Sequence, residues 1–301
     1  MEIKRSPFFY VGDKYKLMPQ LKELFPKDIV GYYEPFCGGG SSFLNTDAER
    51  YIVNDVDEYV IKLHKFFQDN AGQSEELIKK LYNIINEYGL SCSYLGKQVP
   101  EELKKEFVKT YYARYNKEAY TKMRTDYNQE QDNMTLLYLL LIYGFNHMIR
   151  FNSKGLFNLP VGNVDFNNNV SKALEGYFSF MNEKNITFTN MDYKDFLQNQ
   201  NFGNGDFVYC APPYLISMSE YNKLWNEEKE RELYETLDWL DCKGVRFGLT
   251  NLVNHKGNEN TILIEWMKKY KSYSISSNYI SYNDNTIKKD TKEVYVTNGC
   301  C

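Results

Sequence analysis

A chain of 301 residues with 43% apolar side chains can bury a substantial core, as one large domain or as a domain carrying a big insertion. Its net charge of −4 excludes a protein that coats nucleic acid over its whole surface, while leaving room for one basic face. The longest apolar run, Leu136 to Tyr143, is too short to span a bilayer and Met1–Arg5 opens no signal-peptide pattern, so the expectation is a cytoplasmic protein with no membrane partner.

Six cysteines form no C-x-x-C pair and the three histidines, His64, His147 and His255, lie far apart. This spacing argues against a zinc site or a disulfide framework, and Cys300 and Cys301 are given no role.

In chain order, Val30–Phe36 reads as a strand, Cys37–Gly40 as a loop, Ser41–Thr46 as the start of a helix and Tyr51–Asn54 as a second strand, a βαβ opening. The run E-P-F-C-G-G-G, Glu34 to Gly40, therefore ends a strand and opens a helix, where glycines let a ligand approach backbone amides. Asn54-Asp55 ends the next strand, a position from which an acidic side chain accepts hydrogen bonds from ribose hydroxyls. The fingerprint G-x-G-x-x-G fails, since counting from Gly38 its last position is Phe43, and no phosphate loop is present. The combination points to a nucleoside cofactor without phosphates. The alternative is an ordinary tight turn, with Asp55 capping the next helix.

From Asp57 to Ala173 the pattern is mostly helical, interrupted around Gly155 and at Asn167–Asn169, which reads as a loop. Lys104–Arg124 carries seven basic residues against two acidic ones, interleaved with Phe107, Tyr111, Tyr112, Tyr115 and Tyr120. It is either a basic face for nucleic acid, with Lys109 among its phosphate contacts, or a solvated amphipathic helix whose aromatic stripe is core. Strands resume at Ile186–Thr189, Phe207–Cys210, Arg246–Thr250, Tyr273–Tyr279 and Glu293–Thr297, with helices near Glu227–Leu240 and Thr261–Tyr270. The pattern predicts an α/β fold, a doubly wound, mostly parallel sheet interrupted by a helical insertion. Pro212 and Pro213 cannot continue a ladder, so A-P-P-Y, Ala211 to Tyr214, is a rigid turn at the carboxyl end of a strand, where α/β proteins place chemistry.

Taken together and in order, F-F-Y-V-G-D-K (Phe8–Lys14), E-P-F-C-G-G-G, Asn54-Asp55, M-D-Y (Met191–Tyr193), A-P-P-Y and E-V-Y-V-T-N (Glu293–Asn298) resemble Dam-type, alpha-class DNA adenine-N6 methyltransferases over nearly the whole chain. The resemblance implies a class I S-adenosylmethionine-dependent methyltransferase fold, with residues 1–64 and 174–301 as the catalytic domain and 65–173 as a target-recognition insertion. It implies transfer of a methyl group from S-adenosylmethionine to adenine in double-stranded DNA at a short specific site, leaving S-adenosylhomocysteine. A restriction-modification setting, with a paired restriction endonuclease as partner, goes with it. By the same resemblance Tyr10 and Lys14 hold the methionine end of the cofactor, and Glu34, Pro35, Phe36, Gly38, Gly39 and Gly40 form its loop. Asp55 takes the ribose, and Asp192 and Tyr193 border the adenine; Asp192 reads equally well as a helix cap.

The family's turn is normally D-P-P-Y. Its carboxylate and proline carbonyl draw the target amino hydrogens out of plane, and its tyrosine stacks on a base flipped from the duplex. Here Pro212 keeps its carbonyl and Tyr214 its ring, with Pro213 between them, but Ala211 stands where the family has Asp. The expectation is a chain whose catalysis is disabled by a deliberate replacement while binding persists; the alternatives are a natural, non-catalytic, cofactor-gated DNA-binding protein, or a methyltransferase acting on RNA or cytosine.

Gly144–Gly162 is similar to the family's DNA-reading segment. Arg150 matches a guanine-reading arginine, Asn146, Met148 and Pro160 match positions that reach bases, and Lys154 suits a phosphate. Against this, Arg150 reads also as a brace of the insertion. Phe9 stands where many Dam-type enzymes have lysine, so a GATC target is not implied.

Overall fold

A computed structural model describes residues 2–217, 225–276 and 291–299. Cys300, Cys301 and the end of the strand expected over Tyr273–Tyr279 lie outside the described residues. Eight strands, β1 (Gly31–Glu34), β2 (Arg50–Asn54), β3 (Asn185–Thr189), β4 (Phe207–Cys210), β5 (Arg246–His255), β6 (Asn258–Glu259), β7 (Lys271–Ile275) and β8 (Lys292–Thr297), form one sheet in the order 3-2-1-4-5-8-7, with β6 paired to β5. The pairs 3-2, 2-1, 1-4 and 4-5 are parallel, and β8 and β7 run antiparallel at one end.

Burial on both faces explains why these strands are continuously apolar. Along β4, Phe207 and Tyr209 enter the larger core while Val208 and Cys210 enter the smaller one on the opposite face. The larger core is covered by α1 (Met18–Leu24), α2 (Glu58–Asp69), α3 (Ser74–Tyr88) and, beyond the short exposed α4 (Glu101–Glu106), by α5 (Tyr111–Gln129), α6 (Met134–Tyr143) and α7 (Asn168–Glu183). The smaller core holds α8 (Tyr193–Gln198), α9 (Glu227–Cys242) and α10 (Thr261–Trp266). The sheet is therefore doubly wound. The apolar run expected to be too short for a bilayer is α6, buried on every side, and among the described residues no helix is long and apolar enough to cross a membrane.

Several expected boundaries move, each for a local reason. Ser41–Thr46 makes only a 3₁₀ turn at Phe43–Asn45, because the Asn45 side chain pairs instead with both backbone groups of Lys4, at 2.8 and 2.7 Å. The asparagine run expected as a loop begins a helix: Asn167 caps it by accepting from the Asn169 amide at 2.9 Å, and Asn168 and Asn169 form the first turn of α7. Lys104–Arg124 is two helices, α4 and α5, rather than one. The strand expected at Arg246–Thr250 runs on to His255 and turns back at Lys256 and Gly257, both left-handed (φ 50° and 80°), a hairpin turn into β6. The helix expected to reach Tyr270 stops at Trp266 and tightens into a 3₁₀ turn, Met267–Lys269.

The sheet order reverses between β1 and β4. Ligands of open α/β sheets bind in the crevice outside the strands' carboxyl ends at such a reversal. Glu34–Gly40 leaves β1 there, and Ala211–Tyr214 leaves β4 beside it.

Candidate active site

The glycine loop after β1 is shaped from behind. Gly38 and Gly40 are left-handed (φ 46° and 87°). A Cβ on Gly39 would lie 2.8 Å from Tyr10 Cβ, and one on Gly40 would lie 2.5 Å from the Phe43 ring. At Gly39 and Gly40 no side chain fits without displacing these neighbours. Tyr10 thus packs directly on the loop, and its hydroxyl donates to Asp57 at 3.3 Å. The Gly38 carbonyl accepts from His64 Nε2 at 2.8 Å, so Nδ1 carries no proton and accepts from Tyr177 at 2.6 Å. Burial pushes this imidazole down to about 4, against the hydrogen bond to Gly38, so His64 is neutral.

Asp55, at the end of β2, points its carboxylate back into the same loop. One oxygen accepts from the Gly38 amide at 2.8 Å and the other from the Asp57 amide at 2.9 Å. Burial raises its carboxyl to about 6, against these two amides. The preceding Asn54 is fully buried and uses both ends of its amide. It donates to the carbonyls of Pro35 and Met191 at 3.1 and 2.9 Å, and accepts from the Met191 amide and Thr189 at 3.0 and 2.9 Å. The loops after β1 and β3 are therefore pinned to one side chain.

Glu34 is buried at the end of β1, where it meets Ser42 and, at 3.2 Å, Tyr32. Burial lifts its carboxyl to about 8, only partly offset by those hydroxyls. Past it, the Phe36 ring lies 5.2 Å from Tyr193 and 5.7 Å from Trp225, forming an aromatic wall. Asp192 caps α8, its side chain accepting from the Lys194 amide at 2.9 Å, so the capping reading holds for it.

Lys14 is buried, its ammonium 4.0 Å from Glu293 Oε1 on β8, 4.4 Å above the Tyr214 ring and 3.4 Å from the Gly12 carbonyl. Burial lowers its pKa, opposed by Glu293, Asp13 and Glu34. Tyr214 donates its hydroxyl to the same Glu293 oxygen. Pro212 is buried, and Ala211 and Pro213 are half-buried at the mouth of the β4 turn. Tyr10 and Asp55 thus contact the glycine loop, Lys14 and Tyr214 meet at Glu293, and both groups lie by the carboxyl ends of the neighbouring strands β1 and β4, where the crevice of an open sheet is expected, with Tyr193 against Phe36.

The set can hold a zwitterion and a nucleoside together. Lys14 suits a carboxylate. Buried Glu293 Oε2 has no hydrogen-bond partner among the described residues and can accept from an ammonium. Asp55 can take hydroxyls, and the aromatic wall can take a base. His64 and Ser42 were given no site role by sequence, and Glu293 entered only as the first residue of E-V-Y-V-T-N. The available signal was an acid inside an apolar strand, since Glu is almost never buried without a partner.

Gly144–Gly162 forms a separate, hairpin-like element, with bridges at Gly144–Val161 and Phe151–Phe157. It is held from behind by Tyr59 of α2, stacked 4.1 Å from Phe151, and by Arg124 and Asn128 of α5, which donate to the carbonyls of Leu159 and Phe157 at 3.1 and 3.0 Å. Arg150 donates to the Asn158 side chain and carbonyl at 2.9 and 3.0 Å, the geometry of a brace. Asn146, Lys154 and Pro160 are exposed, while Met148 packs half-buried on the core. Lys109 is exposed between α4 and α5, its carbonyl accepting from Asn163 at 2.9 Å. Asn146 and His147 are left-handed, as is Phe9, whose ring meets His147 at 5.5 Å and joins the hairpin to the segment carrying Tyr10.

A sequence model of the family described as D12 class N6 adenine-specific DNA methyltransferase matches residues 10–281, nearly the whole chain. The chain belongs to this family. It is 33% identical over 302 residues to the Type II methyltransferase M.FokI of Planomicrobium okeanokoites, covering 98% of this chain and 43% of that one. Modification methylase StsI of Streptococcus sanguinis is 30% identical, with 98% and 43% covered. The DNA adenine methylase of Escherichia coli (strain K12) is 26% identical over 299 residues, with 96% and 94% covered. The chain therefore spans about 43% of the length of the first two relatives and nearly all of the third. In this D12-family chain both candidate motifs, the glycine loop and the A-P-P-Y turn, stand at the strand-order reversal.

Proposed function

We propose that this chain is built to methylate the exocyclic nitrogen of adenine at a short site in double-stranded DNA, with S-adenosylmethionine as donor, and that Ala211 disables the transfer while leaving both ligands able to bind. The observation that carries the reading is the meeting of the glycine loop and the A-P-P-Y turn at the β1/β4 reversal, in a chain of this family. When bound, the cofactor would supply an electrophilic methyl group. The chain's own residues do the rest. Lys14 takes the cofactor's carboxylate, Asp55 its ribose hydroxyls and Phe36 with Tyr193 its adenine, while Asp192 fixes the start of α8 beside them. The Pro212 carbonyl accepts one hydrogen of the target amino group and Tyr214 offers its ring to the flipped base. The second acceptor is missing, because an alanine methyl cannot accept a hydrogen bond.

On the DNA side, the exposed face of the Gly144–Gly162 hairpin reads the site through Asn146, Arg150 and Pro160, with Met148 set behind them, and Lys154 and Lys109 meet phosphates. Relatives named as modification methylases support a restriction-modification origin with a paired endonuclease. The test is a single-turnover assay with tritiated cofactor on random-sequence duplex, comparing the chain with its Ala211→Asp form. Losing one preorganised electrostatic group costs about 10² to 10³ in rate, so Ala211→Asp should raise methylation by at least that factor, with the label recovered as N6-methyladenine. Equal activity in both forms, or none after Ala211→Asp despite intact binding, would show the turn to be misread.

A further inference from the structure

Glu293 stands outside both candidate motifs, yet it touches a residue from each. It sits on β8, 1% exposed, and its Oε1 receives the Tyr214 hydroxyl and lies 4.0 Å from the Lys14 ammonium. That ammonium also sits 4.4 Å above the Tyr214 ring. Three side chains from three distant parts of the chain, the N-terminal segment, the turn after β4 and the last strand, thus make one ionic and hydrogen-bonded unit under the crevice. The other oxygen, Oε2, is buried with no hydrogen-bond partner among the described residues, so the carboxylate is compensated only by one hydroxyl and one loosely placed cation.

Such an arrangement responds to a ligand. The Lys14 contacts are long, 3.4 Å to the Gly12 carbonyl and 4.0 Å to Glu293, so its ammonium can move toward an incoming carboxylate at little loss. A buried carboxylate from which a cation withdraws leans harder on its remaining donor, which is Tyr214. We propose that Glu293 is a positioning residue that fixes Lys14 and Tyr214 relative to one another and so couples occupancy of the cofactor's carboxylate subsite to the placement of the ring that receives the target base. The inference rests on the cofactor reading of the site. The coupling is reciprocal between the two ligands, so a bound base alters cofactor affinity as much as the cofactor alters base affinity, and a change at Tyr214 that alters the shared link should be felt by the cofactor.

The experiment is calorimetric titration of S-adenosylhomocysteine into the full chain and its Tyr214→Phe, Glu293→Gln and doubly substituted forms, repeated across alkaline pH. Tyr214→Phe deletes one oxygen and keeps the ring, and should weaken binding about threefold to tenfold. Glu293→Gln should weaken it at least as much, and the double variant should be no weaker than Glu293→Gln alone, since both changes cut one link. Lys14 is faced by Glu293, Asp13 and Glu34 and by the Tyr214 ring. Removing the Glu293 charge should therefore move the alkaline loss of affinity to lower pH, whereas Tyr214→Phe should leave that limb in place. Unchanged affinity in Tyr214→Phe, or effects that simply multiply in the double variant, overturns the coupling while the cofactor reading stands. No binding by the unsubstituted chain overturns the cofactor reading, and the coupling with it.

Discussion

The crevice at the β1/β4 reversal and the Gly144–Gly162 hairpin are built on different plans. Under the crevice, every loop is tied from behind by a buried side chain: Asn54 pins two loops, Asp55 and His64 hold opposite ends of Gly38, and Glu34 sits sealed beneath Ser42. The hairpin is held along its base by Tyr59, Arg124 and Asn128, and its exposed tip around Lys154–Leu156 has one side-chain tie, from Gln131 to the Gly155 carbonyl at 2.8 Å. A floor of this kind fixes one small-molecule geometry. A hairpin of the other kind can change what it presents without disturbing that floor.

The largest expected effect breaks the floor. Gly40→Ala places a Cβ 2.5 and 2.6 Å from the Phe43 ring and 3.1 Å from His64, at a φ of 87°, and neither ring has room to yield. Overpacking and left-handed strain together should cost about 3 kcal/mol or more and abolish cofactor binding, measured by urea unfolding and calorimetry. Gly155→Ala is the matched control in the hairpin. It has a similar φ of 71° with nothing within 4 Å, and should cost about 1 kcal/mol and leave cofactor affinity unchanged. Equal damage from both would erase the distinction.

The second test sharpens it through pH. The Glu34 carboxyl is lifted by burial to about 8 in the folded chain from its ordinary value near 4.5. A raised folded-state pKa gives stability that is complete below the ordinary value and is lost as pH rises through the folded one. Glu34→Gln has no such loss. Its unfolding free energy should match the parent near pH 4.5 and exceed it increasingly up to about pH 8, by a few kcal/mol at most, at about 1.4 kcal/mol for each pH unit over which the two states differ in protonation. A constant difference across that range would mean that Glu34 is already ionised.

The floor was also the part most legible in sequence. Glycines after a strand, an acid ending the next one and a double proline after a third are local signals, because each answers to one backbone conformation. For the same reason the expected strands fell within a few residues of their observed ends, apart from β5, which runs on to His255, while β6 was not expected. What stayed hidden was decided by partners far along the chain. Glu293 belongs to the crevice through Tyr214 and Lys14, 79 residues away in the first case. His64 is set by Tyr177, 113 residues on. Ser41–Thr46 lost its helix to a competing pair between Asn45 and Lys4. In the asparagine run, loop composition masked a cap, since the same side chain that favours turns also starts α7.

The smallest effects decide what the hairpin does. Arg150 makes a brace with Asn158, and a guanine-reading role would have to coexist with that contact or replace it on the DNA. Removing the arginine and removing the Asn158 side chain separate the two roles, because Asn158→Ala deletes only the Oδ1 contact and leaves the guanidinium in place with its bond to the Asn158 carbonyl. If Arg150 reads a base, Arg150→Ala should cost about 1 to 3 kcal/mol of site-specific binding and relax preference at one position, whereas Asn158→Ala keeps the preference. If it only braces, both substitutions should lower stability, Asn158→Ala by less because the bond to its carbonyl survives, and leave the preference intact. Selection of bound duplexes from a random pool, read beside thermal melts, distinguishes these outcomes. Lys154→Ala and Lys109→Ala set the baseline, since a phosphate contact carries no sequence information. Each should weaken all duplexes by a similar small factor and reduce the slope of log affinity against log salt by about 1. An unchanged salt slope in both would remove these lysines from the DNA-facing surface, leaving the basic residues of α4 and α5 as a solvated face.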